Sequence, residues 1–175
     1  MRLLLSCLML FTVAPLGAAV SSEAGQYATS SDYVRSAYPD GAPDVSTIWV
    51  TGELREKIEA TLGHKFAELR LRYWFDGNTS VWILNEIGKE LPITIGVSVT
   101  DDAIRNVQVL EFRESRGWEV RYPFFTDQFN DVRLDNRGEL DRKIDGITGA
   151  TLSVRAVTRI ANIALLLHDQ IKKKN

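Results

Sequence analysis

Asp145-Gly146-Ile147-Thr148-Gly149-Ala150-Thr151-Leu152-Ser153 stands immediately before the most regular helical pattern of the chain. It brings a carboxylate, two glycines and three hydroxyls to one turn. A turn of this kind opening onto a helix is a favourable place for a phosphate, because first-turn N–H groups lack intrahelical partners and the helix dipole favours an anion there. The same residues also read as an Asx turn followed by a threonine N-cap. A second stretch, Glu111 to Phe125, combines Arg113, Arg116 and Arg121 with Trp118, Tyr122, Phe124 and Phe125 around Gly117. Planar aromatics and guanidinium groups suit a flat anionic ligand through stacking and charge-assisted hydrogen bonds. The competing reading is a strand end with core aromatics and solvated arginines.

The elements that must position these residues follow from periodicity. Asp32 to Pro39 reads as a short helix ended by its proline, and Thr51 to Leu62 as a better one closed by Gly63. His64 just beyond it reads as a partner of that helix's C-terminus. Leu69 to Phe75 and Thr79 to Leu84 flank Asp76-Gly77-Asn78 as a hairpin. Ile93, Ile95, Val97 and Val99 alternate with Thr94, Gly96 and Ser98, then Thr100-Asp101-Asp102 turns into Ile104 to Phe112 as a second hairpin. In that last strand Val107 and Val109 fall on one face and Leu110 and Phe112 on the other, a pattern expected of a strand covered on both sides.

Phe125 to Phe129 reads as a short helix and Asp131 to Leu140 as a polar loop. From Thr151 to about Lys172 the pattern is helical, with Val157, Ile160, Ala161, Ala164, Leu167 and Ile171 as its apolar stripe. Arg155, Arg159, Asn162, Asp169 and Lys173 lie opposite, and Leu166 interrupts that polar face. His168, beside the stripe, reads as a buried structural histidine. Helices, antiparallel hairpins, a short helix and a long helix make an α+β domain.

The chain has 175 residues, 45% hydrophobic and 25% charged, with a formal charge of −2. This suits one globular domain, over residues 32–175, and disfavours a nucleic-acid binder, which needs a basic excess. Arg2, the apolar run Leu3 to Val13, Pro15 and the small residues Gly17, Ala18 and Ala19 have the order of a secretory signal cleaved near Ala19. Residues 20–31 read as a flexible leader. Cys7 lies too early for a lipoprotein cleavage box, and it is the one cysteine, so the processed chain has no disulfide, thiol nucleophile or cysteine-ligated cluster. Two well-separated histidines without carboxylates in motif spacing make a poor metal site. A periplasmic or secreted location is expected.

Asp145-Gly-Ile-Thr148-Gly149-Ala150-Thr151 resembles the flavinylation motif of bacterial FMN-binding domains, among them the C subunit of the sodium-pumping NADH:quinone oxidoreductase and the G subunit of the Rnf complex. Glu114-Ser115-Arg116-Gly117 is similar to that family's Glu-Thr-x-Gly element, departing at Ser115-Arg116. Gly96 with the Asp101 to Ile104 turn, and Phe125-x-x-Gln128-Phe129, resemble two further elements, four in all in the family's order. The resemblance spans Ile93 to Leu167, and more loosely reaches back to residue 32.

It implies FMN joined through its phosphate to Thr151, with Asp145, Gly146, Thr148, Gly149, Ala150 and Leu152 forming the acceptor turn. Glu114, Ser115, Gly117 and Trp118 would meet the flavin, Trp118 by stacking or else serving as a core anchor. A threonine hydroxyl is a poor nucleophile without a poised base, and no histidine or cysteine lies near Thr151 in sequence. The resemblance supplies the missing chemistry as a separate Mg-dependent FMN transferase that uses FAD and releases AMP. The implied function is electron transfer from a membrane-bound reductase to a downstream acceptor, with no catalytic residue in this chain. Two other readings remain: a flavin-dependent reductase acting directly on a small molecule, and a sensor or adaptor that binds flavin reversibly.

Overall fold

The computed structural model describes residues 25–174. Alternation along the strands sends side chains to two faces in turn, and both faces of this sheet are covered. The strands are β1 (Gly25–Gln26), β2 (Val45–Trp49), β3 (Arg70–Phe75), β4 (Thr79–Ile87), β5 (Pro92–Thr100) and β6 (Ala103–Phe112). They form one antiparallel sheet in the order β1-β6-β5-β4-β3-β2. The helices are α1 (Ser30–Ala37), α2 (Gly52–Leu62), the single turn α3 (Pro123–Thr126) and α4 (Thr151–Lys172). The architecture is α+β, as expected. Among the described residues no helix is long and apolar enough to cross a membrane.

Ile93, Ile95, Val97 and Val99 of β5 join the core cluster formed with α2 and α4, and the whole expected stripe of α4 is buried in it. The opposite face is covered by α1 through Tyr33, Val34 and Tyr38, which pack with Val81 and Leu110. Gly96 makes that cover possible: a Cβ there would lie 2.6 Å from the Tyr33 ring. The β5–β6 hairpin turns on Asp101 and Asp102, both left-handed at φ 53° and 62°, the conformation that a two-residue turn of matching twist requires.

Several elements differ from expectation. Residues 25–31 were expected in the flexible leader, yet β1 pairs with the end of β6 and Thr29 caps α1 by accepting from the Asp32 N–H. The signal segment 1–19, with Cys7, and residues 20–24 lie outside the described residues. The strand β2 has no signal in the sequence because only Ile48 of its five side chains is buried, as befits a sheet edge. In β6, Phe112 shares the α4 face with Val107 and Val109 while Leu110 alone faces α1. The register shift opposite Thr94 and Ile95 explains this, since it makes Leu110 a bulge residue. Asn162, placed on the polar face, is 93% buried because the 134–140 loop folds over it and the Gly138 carbonyl accepts from its Nδ2.

The two histidines are tied to the sheet. His64 pairs through Nε2 with buried Glu86 at 3.0 Å rather than serving only the end of α2, and Arg159 reaches the same carboxylate. His168 is buried, as expected. Its Nδ1 lies 2.7 Å from Ser80 Oγ, and its Nε2 faces Asp102 Oδ1 at 3.4 Å. The order Ser80, His168, Asp102 has the look of a hydrolytic triad, but Ser80 is fully buried and its Oγ accepts from Trp82 Nε1, so no substrate reaches it.

Burial holds the His168 pKa below its ordinary value of 6.5. The unfolded chain therefore takes up that proton first, and the stability that neutral His168 contributes is complete above the ordinary value and is lost as pH falls toward the lowered one. His64, held above its ordinary value by the Lys65 carbonyl and Glu86, acts in the opposite sense and is half exposed. Thermal melts from about pH 7.5 to pH 5.5 are expected to show a declining Tm that flattens in His168→Asn and steepens in His64→Gln.

Candidate functional site

The site is built on the start of α4. Thr151 is the first helical residue, and the N-cap is Ala150, which has no side-chain oxygen; no side chain caps the helix. The threonine-cap reading therefore fails. Thr151 is exposed, as are Thr148, Asp145, Gly146, Gly149 and Leu152, whereas Ala150 is buried. An uncapped helix start leaves backbone donors and the positive end of the dipole facing solvent beside the Thr151 hydroxyl.

Two contacts fix this turn. At its beginning the Asp145 N–H donates to Gln128 Oε1 at 2.7 Å. Gln128 is held by its neighbours Phe125 and Phe129, both fully buried with rings edge to face at 5.5 Å. The turn then closes through the Ala150 N–H to the Ile147 carbonyl, with Gly149 left-handed at φ 85°. The Asp145 carboxylate has no hydrogen-bond partner among the described residues.

The second contact comes from the segment after β6. Gly117 is left-handed at φ 87°, and a Cβ there would collide with Ser153 Oγ and lie 3.6 Å from the Ala150 Cβ. Gly117 is thus the point where the 114–118 loop lies directly on the first turn of α4. Ser153, one of the three hydroxyls of the motif, is buried beneath it.

Glu114, expected to meet the flavin, fastens a neighbouring turn. Its buried Oε1 accepts the N–H groups of Lys89, Glu90 and Leu91 at 2.5, 2.6 and 2.8 Å, fastening the β4–β5 turn. Burial alone would raise its pKa, yet these amides hold it below the ordinary carboxylate value. Ser115 and Arg116 are exposed.

Trp118 begins a 3₁₀ turn, Trp118–Arg121, and packs half-buried against the main core cluster. Its ring meets Tyr122 edge to face at 5.6 Å. The Arg121 guanidinium lies 5.1 Å from the Trp118 ring and 4.9 Å from that of Tyr122. Arg113 is drawn away by Glu111, the Pro92 carbonyl and Thr94. The expected arginine–aromatic platform therefore divides: Arg121, Trp118, Tyr122 and exposed Phe124 share one surface, and Arg113 belongs to the sheet. Sequence reasoning missed the Gln128–Asp145 bond and the capture of the 89–91 turn by Glu114, because each joins segments far apart in the chain. Among the described residues no group of three His, Cys, Asp or Glu stands together as metal ligands.

The fold and site define an α+β domain that presents an exposed hydroxyl at an uncapped helix start. Comparison with known families agrees: residues 88–166 match the model of the FMN-binding domain. The matched stretch runs from the β4–β5 turn through most of α4, close to the Ile93 to Leu167 span expected, and does not include the looser extension back to residue 32. It supports an FMN-binding domain, and with it a flavin-binding protein. No curated protein and no solved structure matches the chain.

Gly117→Ala is expected to destabilise the fold by about 2–4 kcal/mol, from the collision with Ser153 and the left-handed backbone together. Urea unfolding measures it, and adding Ser153→Gly should restore only the steric share.

Proposed function

We propose that this protein is an extracytoplasmic electron-transfer flavoprotein carrying FMN attached through its phosphate to Thr151, relaying electrons from a membrane-bound reductase to a downstream acceptor. The observation that carries the reading is the exposed Thr151 hydroxyl at an uncapped helix start, within the stretch that matches the FMN-binding domain. The residues present fit such a group. No atom lies within 4 Å of where a Cβ would stand at Gly146 or Gly149, so the approach to the turn is open. The free donors at the start of α4 suit a phosphodiester anion.

Neither histidine stands beside Thr151 to act as its base. His168 lies roughly 25 Å along α4 from Thr151, and His64 pairs with Glu86 near Arg159, about 12 Å along. The resemblance to FMN-binding domains assigns attachment to a separate Mg-dependent FMN transferase using FAD. Thr151 Oγ1 forms the new ester bond to the FMN phosphorus, the FAD pyrophosphate bond breaks with AMP leaving, and the hydroxyl proton passes to a base of the transferase. Gln128 and Gly117 hold the turn in a fixed presentation, and exposed Asp145 is available to the transferase as a recognition group. Attached flavin supplies the redox chemistry; the protein supplies position and environment. Trp118, Tyr122 and Phe124 offer the aromatic surface on which its ring would rest. The extracytoplasmic setting rests on the charged, apolar and small-residue order of residues 1–19.

Co-expression with the transferase, denaturation and in-gel flavin fluorescence test the attachment site. Wild type, Thr151→Ser and Thr148→Ala are expected to fluoresce and Thr151→Ala to be dark. Fluorescence retained by Thr151→Ala would overturn the assignment.

A further inference from the structure

A cleft of about 950 Å³ lies between α2, α4 and the 134–144 segment, a size typical of small-molecule sites. Its floor is apolar: Leu134, Leu140, Ile144 and Leu166 are all half-buried there. Leu166 is the residue that interrupts the polar face of α4, and lining this cleft accounts for it. The wall is a built structure. The Leu134–Leu140 bridge closes the loop, Asp135 accepts the N–H groups of Arg137 and Glu139, and Asn162 binds the Gly138 carbonyl.

Six cationic side chains line the cleft, Lys57, Arg137, Arg142, Lys143, Arg159 and Lys173, against three carboxylates, Asp135, Glu139 and Asp169. Asp135 and Glu139 share Arg137, Asp169 holds Lys173, and Lys57 is held by Glu53 outside the cleft. Arg142 is only loosely paired, 3.7 Å from Asp141. Lys143 is exposed and has no ion-pair partner among the described residues. Cationic side chains thus outnumber carboxylates in the lining, and Lys143 and Arg142 are the ones that no close carboxylate holds, beside an apolar floor.

We propose that this cleft binds an amphipathic organic anion, a small molecule with an apolar body seated on Leu140, Ile144 and Leu166 and a carboxylate, sulfonate or phosphate head met by Lys143 and Arg142. Thr158, Asn162 and Leu166 line it at helical spacings of seven, eleven and fifteen residues from Thr151, so the site shares a face of α4 with the acceptor turn. The proposal goes beyond the flavin reading and stands without it.

Anilinonaphthalene sulfonate, an aromatic anion that fluoresces on entering apolar surroundings, is the probe. Titration into the native protein is expected to give saturable enhancement with one site. Lys143→Glu, at an exposed position, should weaken binding by about tenfold or more, through loss of attraction and new repulsion. Leu166→Asp should abolish it, and thermal melts verify that both variants are folded. Thr151→Ala should bind as wild type does, which separates this test from that of the attachment site. The proposal is overturned if the native protein does not bind the probe, or if Lys143→Glu binds it with wild-type affinity. Loss of binding in Thr151→Ala alone would also overturn it, by moving the site to the acceptor turn.

Discussion

The apolar stripe of α4 has to be buried along its whole length, and the sheet face formed by β4, β5 and β6 is the surface that buries it. The rest of the molecule is arranged around that requirement. Strict alternation in β5 supplies a smooth floor of Ile93, Ile95, Val97 and Val99, and α2 closes over the remaining edge. Once α4 lies on the sheet its first turn has to emerge at one end. The 114–118 loop then crosses it at the one residue, Gly117, that leaves room for Ser153. The location of Thr151 is a consequence of core packing.

Residues around the 145–151 turn divide into those that hold and those that face solvent. Gln128, Gly117, Ser153 and Glu114 hold: each is spent on a backbone amide or on close packing. Asp145, Thr148, Thr151 and Leu152 face outward. This division explains how a motif rich in glycine and hydroxyls can be rigid without a side-chain cap, because its rigidity is borrowed from the buried Phe125–Phe129 pair and from the loop above. Helix-start donors that are fixed in place and left unpaired suit an anion far better than the same donors in a mobile turn.

Much of this was legible in the sequence because it rests on local rules. The stripe of α4, the hairpins at Asp76-Gly77 and Asp101-Asp102, and the buried character of His168 all follow from periodicity and turn chemistry. The 145–151 turn was legible as a turn opening onto a helix, through its glycines and hydroxyls. What escaped depends on contacts between distant segments. The capture of the amides at 89–91 by Glu114 left no local mark because it spans more than twenty residues. Asn162 looked exposed because helical spacing carries no information about a loop folding over it. The strand β2 left no mark because an edge strand buries too few side chains to show alternation.

The central claim is that Thr151 is the acceptor of a flavin phosphate delivered by another enzyme. Intact-mass analysis of the processed protein, from hosts with and without the FMN transferase, tests it most directly. The account predicts a gain of one FMN less one water only when the transferase is present, located on the tryptic peptide 144–155 that contains Thr151. An unchanged mass in the presence of an active transferase, or the same gain located on any other peptide, would contradict it.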